Sequence, residues 1–184
     1  MLKHRIIVIC LFFLVTSLAK AQGKFYTKSG KITFFSSASL EDIEAINKSV
    51  VVLLDTKSGE LQFAVLMKGF EFKKALMQEH FNRDYVESDK FPKAEFKGQV
   101  INNQEINYSA DGNYTANVKG KLTIHGQSKD IETSGTITAR DGKLILHSIF
   151  NVLVADYKIT IPRLYRDNIS KSIKVTVDCS LVVL

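Results

Sequence analysis

The chain has 184 residues, with 25 Lys and Arg against 19 Asp and Glu, a formal net charge of +6, 45% hydrophobic residues, two Cys and no Trp. That length suits one domain with a sizeable core. The basic surplus is not gathered into a stripe with interleaved aromatics, so nucleic acid is not an expected partner.

The first element is a leader pattern. "MLKHR" carries Lys3 and Arg5, an unbroken apolar run follows from Ile6 to Val15, and "TSLAKAQ" offers an Ala19-x-Ala21 site. A basic stretch, an apolar stretch and a small-residue cut site, in that order, read as a secretory signal. The apolar run has ten residues, whereas a helix across a bilayer takes roughly 20. Residues 1–21 are therefore expected to be a cleaved signal and residues 22–184 a single mature domain, periplasmic or secreted, with no integral membrane span. Cleavage would remove Lys3, Arg5 and Lys20, leaving 22 of the 25 basic residues against 19 acidic ones. It would also remove Cys10, so Cys179 could form no intrachain disulfide. Cys179 sits in an alternating apolar row and reads as a small buried hydrophobe.

Beyond the leader the dominant period is two. "KITFFSS" reads as a strand. "SLEDIEAINK" is expected to be a helix, with Ser39 as its cap and Asp42 at the third helical position. "SVVVLLDT" is a second strand, followed by a Lys57-Ser58-Gly59 turn. Leu61, Phe63, Val65 and Met67 then alternate through "ELQFAVLMKG". "FKKALMQEHF" is the second helix candidate, with Phe72, Ala75 and Leu76 placed to cover an opening in the sheet. "AEFKGQVI" is another strand, and Asp111-Gly112 another turn. Tyr114, Ala116, Val118, Leu122 and Ile124 fall on one face of the next segment, with Gly120 in step, and Thr115, Asn117, Lys119, Lys121 and Thr123 on the other. His125-Gly126 and Asp141-Gly142 flank "IETSGTIT", and Asp-Gly between apolar runs marks a hairpin. "GKLILHSIFNV" and "DYKITI" read as strands. The chain ends in the clearest one, where Ile173, Val175, Val177, Cys179, Leu181 and Val183 alternate with polar residues.

Eight or so strands in about 160 residues make an all-β closed barrel or a sandwich. Strands near ten residues long, at roughly 3.3 Å per residue, reach about 30 Å and favour a deep antiparallel barrel with one or two short helices. A barrel of about eight strands either fills its interior with side chains or holds one small ligand; the sequence leaves both open. The outward aromatics are too few for two girdles, so a membrane barrel is not expected.

Candidate chemistry is sparse. The His residues after the leader are His80, His125 and His147, in a helix, a turn and a strand, without the convergence or spacing of a metal site. There is no Gly-x-Ser-x-Gly elbow, Ser128 beside His125 is not a triad, and no Gly-rich loop precedes a helix. No cofactor and no metal is expected. Arg83 and Asp84 form the best polar cluster, read as a surface ion pair.

"NYTANVKGKLTIHGQSKDI" resembles the hairpin of the YceI-like family, a Gly-x-Leu-Thr-(Ile/Leu)-x-Gly-x-(Thr/Ser)-x-x-(Val/Ile) pattern matched by Gly120, Leu122, Thr123, Ile124, Gly126, Ser128 and Ile131. Upstream, Phe91, Pro92 and Phe96 suit the family's Pro-containing stretch. Lys73-Lys74 and Tyr85-Val86-Glu87 stand where the family has Arg-Asp and Phe-Phe-Asp, which marks a divergent member. The resemblance implies an extended, lipocalin-like barrel in the bacterial periplasm, with a long hydrophobic pocket for a polyisoprenoid or other lipid-like molecule, and no catalytic residue. Candidate lining residues are Leu61, Phe63, Val65, Met67, Tyr114, Ala116, Val118 and Phe150, with Gly120 leaving room on the inward row. The competing expectations are a stress-linked or structural interaction module with a filled barrel, and an enzyme acting on a lipid through Arg83 and Asp84. A homodimer is compatible with each. In the lipid-binding reading His125 serves the hairpin turn alone.

Overall fold

The computed structural model describes residues 23–184. The expected signal, its cut site and Cys10 lie outside the described residues. The strands are β1 (Lys24–Ser37), β2 (Asp42–Asp55), β3 (Glu60–Leu66), β4 (Glu71–Phe72), β5 (Lys93–Val100), β6 (Gly112–Ile124), β7 (Gln127–Arg140), β8 (Lys143–Leu153) and β9 (Ser172–Val183). All but β4 join, antiparallel and in chain order, into a closed eight-stranded barrel, because β1 pairs with both β2 and β9. β4 is a two-residue addition to β2 through Ala45 and Phe72. Closure leaves no long unpaired edge.

Local chemistry sets the register. His125 and Gly126 have φ of 50° and 70°, and Asp141 and Gly142 have 50° and 71°. Two successive left-handed residues make the two-residue turn whose twist matches that of antiparallel strands. From the first turn, β6 and β7 zip from Ile124↔Gln127 to Gly112↔Ala139 without a bulge.

Two segments depart from the sequence expectation. The helix expected over "SLEDIEAINK" is absent; from Asp42 this segment is the start of β2. Its Ile43, Ala45 and Asn47 point to the better-buried side, a period of two that Glu and Ala propensity masks. Backbone pairing to β1 on one side and β4 on the other overrides that propensity. "DYKITI" is not a strand either. It leaves a 3-10 turn at Val154–Tyr157, passes through Lys158 with φ 55°, and crosses the end of the barrel. The alternation of Ile159 and Ile161 serves a cavity wall rather than a sheet.

The interior differs along the barrel axis. At the end holding Lys24, Asp55 and Gly112 it is packed solid. Val52, Leu54, Leu144 and Leu181 have no exposed surface and Val100 has 1%. In the same half, Gly98 faces Gly120 across β5 and β6, and the Phe96 ring folds over both. The opposite end is hollow and capped. One cap element is helix α1 (Ala75–His80), continued by a π-helical turn at Phe81–Tyr85. The other is the crossing segment, 154–171. It is tied down by hydrogen bonds from the Val154 amide to the Lys171 carbonyl (3.1 Å), the Ser170 amide to Ser36 Oγ (2.8 Å) and the Leu40 amide to the Asp167 carbonyl (3.0 Å).

Candidate functional site

The hollow end holds a cavity of about 560 Å³, and a smaller one of about 110 Å³ lies deeper in the barrel. Ile32, Val65, Ala94, Leu122 and Phe150 border both, so the two follow one another along the axis. The larger volume lies in the range of about 300–1,000 Å³ typical of small-molecule sites. The smaller falls below that range.

Each wall has a sequence cause. Strand alternation turns Leu61, Phe63 and Val65 of β3 inward, and Ala116 and Val118 of β6 opposite them. Phe34, Phe70, Phe72 and Phe81 meet with ring centroids 5.0–5.7 Å apart and join the cap helix to the barrel wall. Such tilted and edge-on pairs add to plain burial by about 0.5–1.5 kcal/mol each. Polar groups gather at the mouth: Glu41 and Lys74 (2.6 Å apart), His80 and Tyr165. Burial raises the Tyr85 phenol pKa above its ordinary value, aided by Tyr165 and Asp84.

Of the expected lining residues, Leu61, Phe63, Val65, Ala116, Val118 and Phe150 border the inner cavity, and Val65, Met67 and Phe150 the outer one. Tyr114 borders neither. It lies toward the filled end, where its hydroxyl donates to the Ala110 carbonyl at 3.2 Å. The room expected from Gly120 is taken by the Phe96 ring rather than left empty. Of the four clustered phenylalanines the sequence points only to Phe72 as part of a cover over the barrel opening; Phe34, Phe70 and Phe81 are not marked by it. Phe34 alternates correctly within "KITFF", but Phe70, Phe72 and Phe81 lie in short irregular segments that carry no period.

His125 does more than turn the chain. Its Nδ1 is 3.0 Å from the Tyr157 carbonyl and its Nε2 is 2.7 Å from Glu87 Oε2, while its ring meets the edge of Phe91 at 4.6 Å. The β6–β7 turn is thereby joined to the loop after the π turn and to the start of the crossing segment. The residues in this knot or next to it, Glu87, His125 and Lys158, account for three of the four left-handed non-glycine residues among those described. The His125 hydrogen bond holds the Glu87 carboxyl below the usual range, assisted by Lys90 and opposed by partial desolvation. Arg83 and Asp84 form an exposed pair at 2.8 Å, with Glu79 on the far side of the guanidinium, and neither borders a cavity. Cys179 is buried, and desolvation pushes its thiol pKa up to about 11. Among the described residues no three His, Cys, Asp or Glu side chains converge as metal ligands, and no helix is long and apolar enough to cross a membrane.

The model of the YceI-like domain matches residues 11–181. No curated protein sequence matches the chain. Among solved structures, a polyisoprenoid-binding domain from Saccharophagus degradans, implicated in plant cell wall breakdown, is similar with a TM-score of 0.77 at 14% identity, over 88% of this chain and 99% of that one. BcnA of Burkholderia cenocepacia gives 0.67 at 16% identity, over 83% and 96%. The YCEI protein of Campylobacter jejuni gives 0.55 at 18%, over 72% and 78%. At these identities the likeness is one of fold.

Proposed function

Because the chain belongs to the YceI-like family, and because its barrel is hollow at one end, we propose that it is a binding protein that sequesters an elongated apolar molecule, a polyisoprenoid or similar lipid, outside the cytoplasm. One observation carries the reading. An apolar cavity of about 560 Å³ continues into a second of about 110 Å³ along the barrel axis. A compact ligand would fill the first and leave the second empty, whereas a linear chain occupies both. Burial contributes roughly 0.8 kcal/mol per methylene, so affinity grows with chain length until the inner end is reached. The likeness to a polyisoprenoid-binding domain supports this ligand class. The placing of polar groups at the mouth suits a ligand with one polar end. The basic, apolar and Ala-x-Ala order of the first 21 residues supports export.

The reading needs no catalyst. The polar cluster of an enzyme, Arg83 with Asp84, stands outside both cavities. The filled-barrel interaction module fits only half of the interior.

Native mass spectrometry of the protein from the extracytoplasmic fraction, followed by solvent extraction, tests the proposal. A stoichiometric apolar adduct is expected. A mass that stays bare after incubation with isoprenoids and fatty acids would sink it.

A further inference from the structure

We propose that the capped end of the barrel docks on an anionic lipid bilayer, with Leu40, Leu76 and Leu164 entering the interface and Arg163 and Arg166 meeting lipid phosphates. Leu164, Leu40 and Leu76 are 80%, 72% and 61% exposed, and they are the three most exposed of the large hydrophobic residues described. They come from three separate segments. Leu40 lies between β1 and β2, Leu76 is on α1, and Leu164 is in the 3-10 turn Arg163–Tyr165. The fold gathers them at one rim. The Leu40 amide donates to the Asp167 carbonyl at 3.0 Å, and the rings of His80 and Tyr165 are 6.4 Å apart. Leu76 and Leu164 also border the outer cavity. Two of the three most exposed apolar side chains therefore stand where the cavity meets solvent, and Leu40 is tied to the same segment as Leu164.

Charge selects the partner. Residues 158–171 carry Lys158, Arg163, Arg166 and Lys171 against Asp167 alone. Among the described residues, none of these four cations lies within ion-pairing distance of a carboxylate. On the facing elements Glu41 pairs with Lys74 and Glu44 with Lys73, while Arg83 is shared by Glu79 and Asp84. From Lys158 to Lys171 the crossing segment keeps a surplus of three positive charges, with Leu164 lying between Arg163 and Arg166. Separate leucines among cations suit insertion between lipid headgroups. Protein hot spots favour aromatic anchors and under-use leucine.

The docking surface goes beyond the binding reading. It supplies a route by which an apolar molecule moves between a bilayer and the barrel without crossing water. The two claims are separable, because the arginines border neither cavity.

The test is co-sedimentation of the full protein with vesicles of phosphatidylcholine alone, or mixed with phosphatidylglycerol, at low and high salt. The wild type is expected to pellet with the mixed vesicles at low salt and to leave the lipid as salt rises. Loss of two surface cations in R163Q/R166Q lowers partition by roughly 25-fold. L40S/L76S/L164S lowers it by at least about tenfold through lost interfacial burial. Thermal unfolding confirms that each variant is folded. R163Q/R166Q retains the wild-type pattern of apolar adducts in native mass spectra. A wild type that stays in the supernatant with mixed vesicles overturns the proposal, as do folded variants that pellet like wild type. A surface for a protein partner would give the first of these results.

Discussion

Gly120→Ala is the sharpest probe of how the barrel fills its closed half. A Cβ at Gly120 would stand 2.5 Å from Gly98 Cα, 2.5 Å from the Lys97 carbonyl oxygen and 2.7 Å from Phe96 Cζ. Carbon pairs are at rest at about 3.5–4.0 Å, so each contact is short by about 1 Å. Two of the three partners are backbone, held in the β5–β6 ladder at Gly98↔Gly120, and cannot swing away. Overpacking of this kind costs about 1–3 kcal/mol. For a chain of this size each kcal/mol moves the midpoint by roughly 2–4 °C, so the variant should melt about 2–12 °C lower. Phe96→Leu in the same background removes the ring contact and leaves both backbone contacts, so it restores only part of the loss. The assay is thermal unfolding by far-ultraviolet circular dichroism on the four members of this cycle. A second readout follows from Phe96 also bordering the inner cavity. A ring pushed off Gly120 narrows that space and shortens the longest chain retained. A G120A protein that melts at the wild-type temperature would refute the reasoning, for it would mean that the two strands separate at no cost.

His125→Asn keeps a residue that tolerates the left-handed turn but cannot reach both Glu87 and Tyr157. The Tyr157 bond alone is worth about 0.5–1.5 kcal/mol. Amide exchange at Val86, Ser88, Phe91 and Ile159 should therefore speed up by at least about two- to tenfold, while barrel amides hold; unchanged exchange would return His125 to a turn residue only. Ala94→Phe, at the boundary of the two cavities, should exclude long chains and retain short ones in native mass spectra, and equal retention of both would contradict the axial arrangement. Asp178 is partly desolvated, yet His147 at 2.8 Å and Lys31 at 3.1 Å hold its carboxyl below the usual range. Its folded pKa is thus below its unfolded value of about 3.9. The stability that this adds is complete above that value and is lost as pH falls through the lower folded one. Asp178→Asn should flatten that acid limb of the urea midpoint, and an unchanged limb would assign it to other carboxylates. With its thiol pushed up to about 11 and buried, Cys179 should resist an aromatic disulfide reagent at pH 8 until denaturant is added; rapid labelling of the native protein would show that the β1–β9 seam opens.

The barrel was legible because its signals are periodic. Alternation through β3, β6 and β9, with the Asp141-Gly142 turn, sufficed for an antiparallel barrel of about eight strands. The "SLEDIEAINK" stretch was misread because Glu and Ala favour a helix in isolation, and only pairing across the barrel reveals Ile43 and Ala45 as strand positions. The cavity was legible only in part. Residues such as Phe63 and Val118 declare an inward face, but whether a face meets a neighbour or a space depends on what lies opposite. Gly120 shows the limit: the sequence suggests a vacancy, and Phe96, 24 residues earlier, fills it. Of the mouth only α1 was legible, as a helix over the opening; its joining to the crossing segment was hidden because contacts such as His125 to Tyr157 are encoded by no local pattern.

A barrel solid at one end and hollow at the other separates two kinds of selection. Substitutions around Val52, Leu144 and Leu181 are screened by whether the protein survives, since no space there is left to accommodate them. Substitutions around Phe34, Ile43, Leu76 and Ile159 face a space, and change what fits before they change whether the chain folds. What the hollow end accommodates can therefore change while the architecture stays fixed, and solved structures that share only 14–18% of their residues with this chain share its fold. The same division makes the protein a chassis: a library confined to the hollow end explores new occupants while its foundation is untouched.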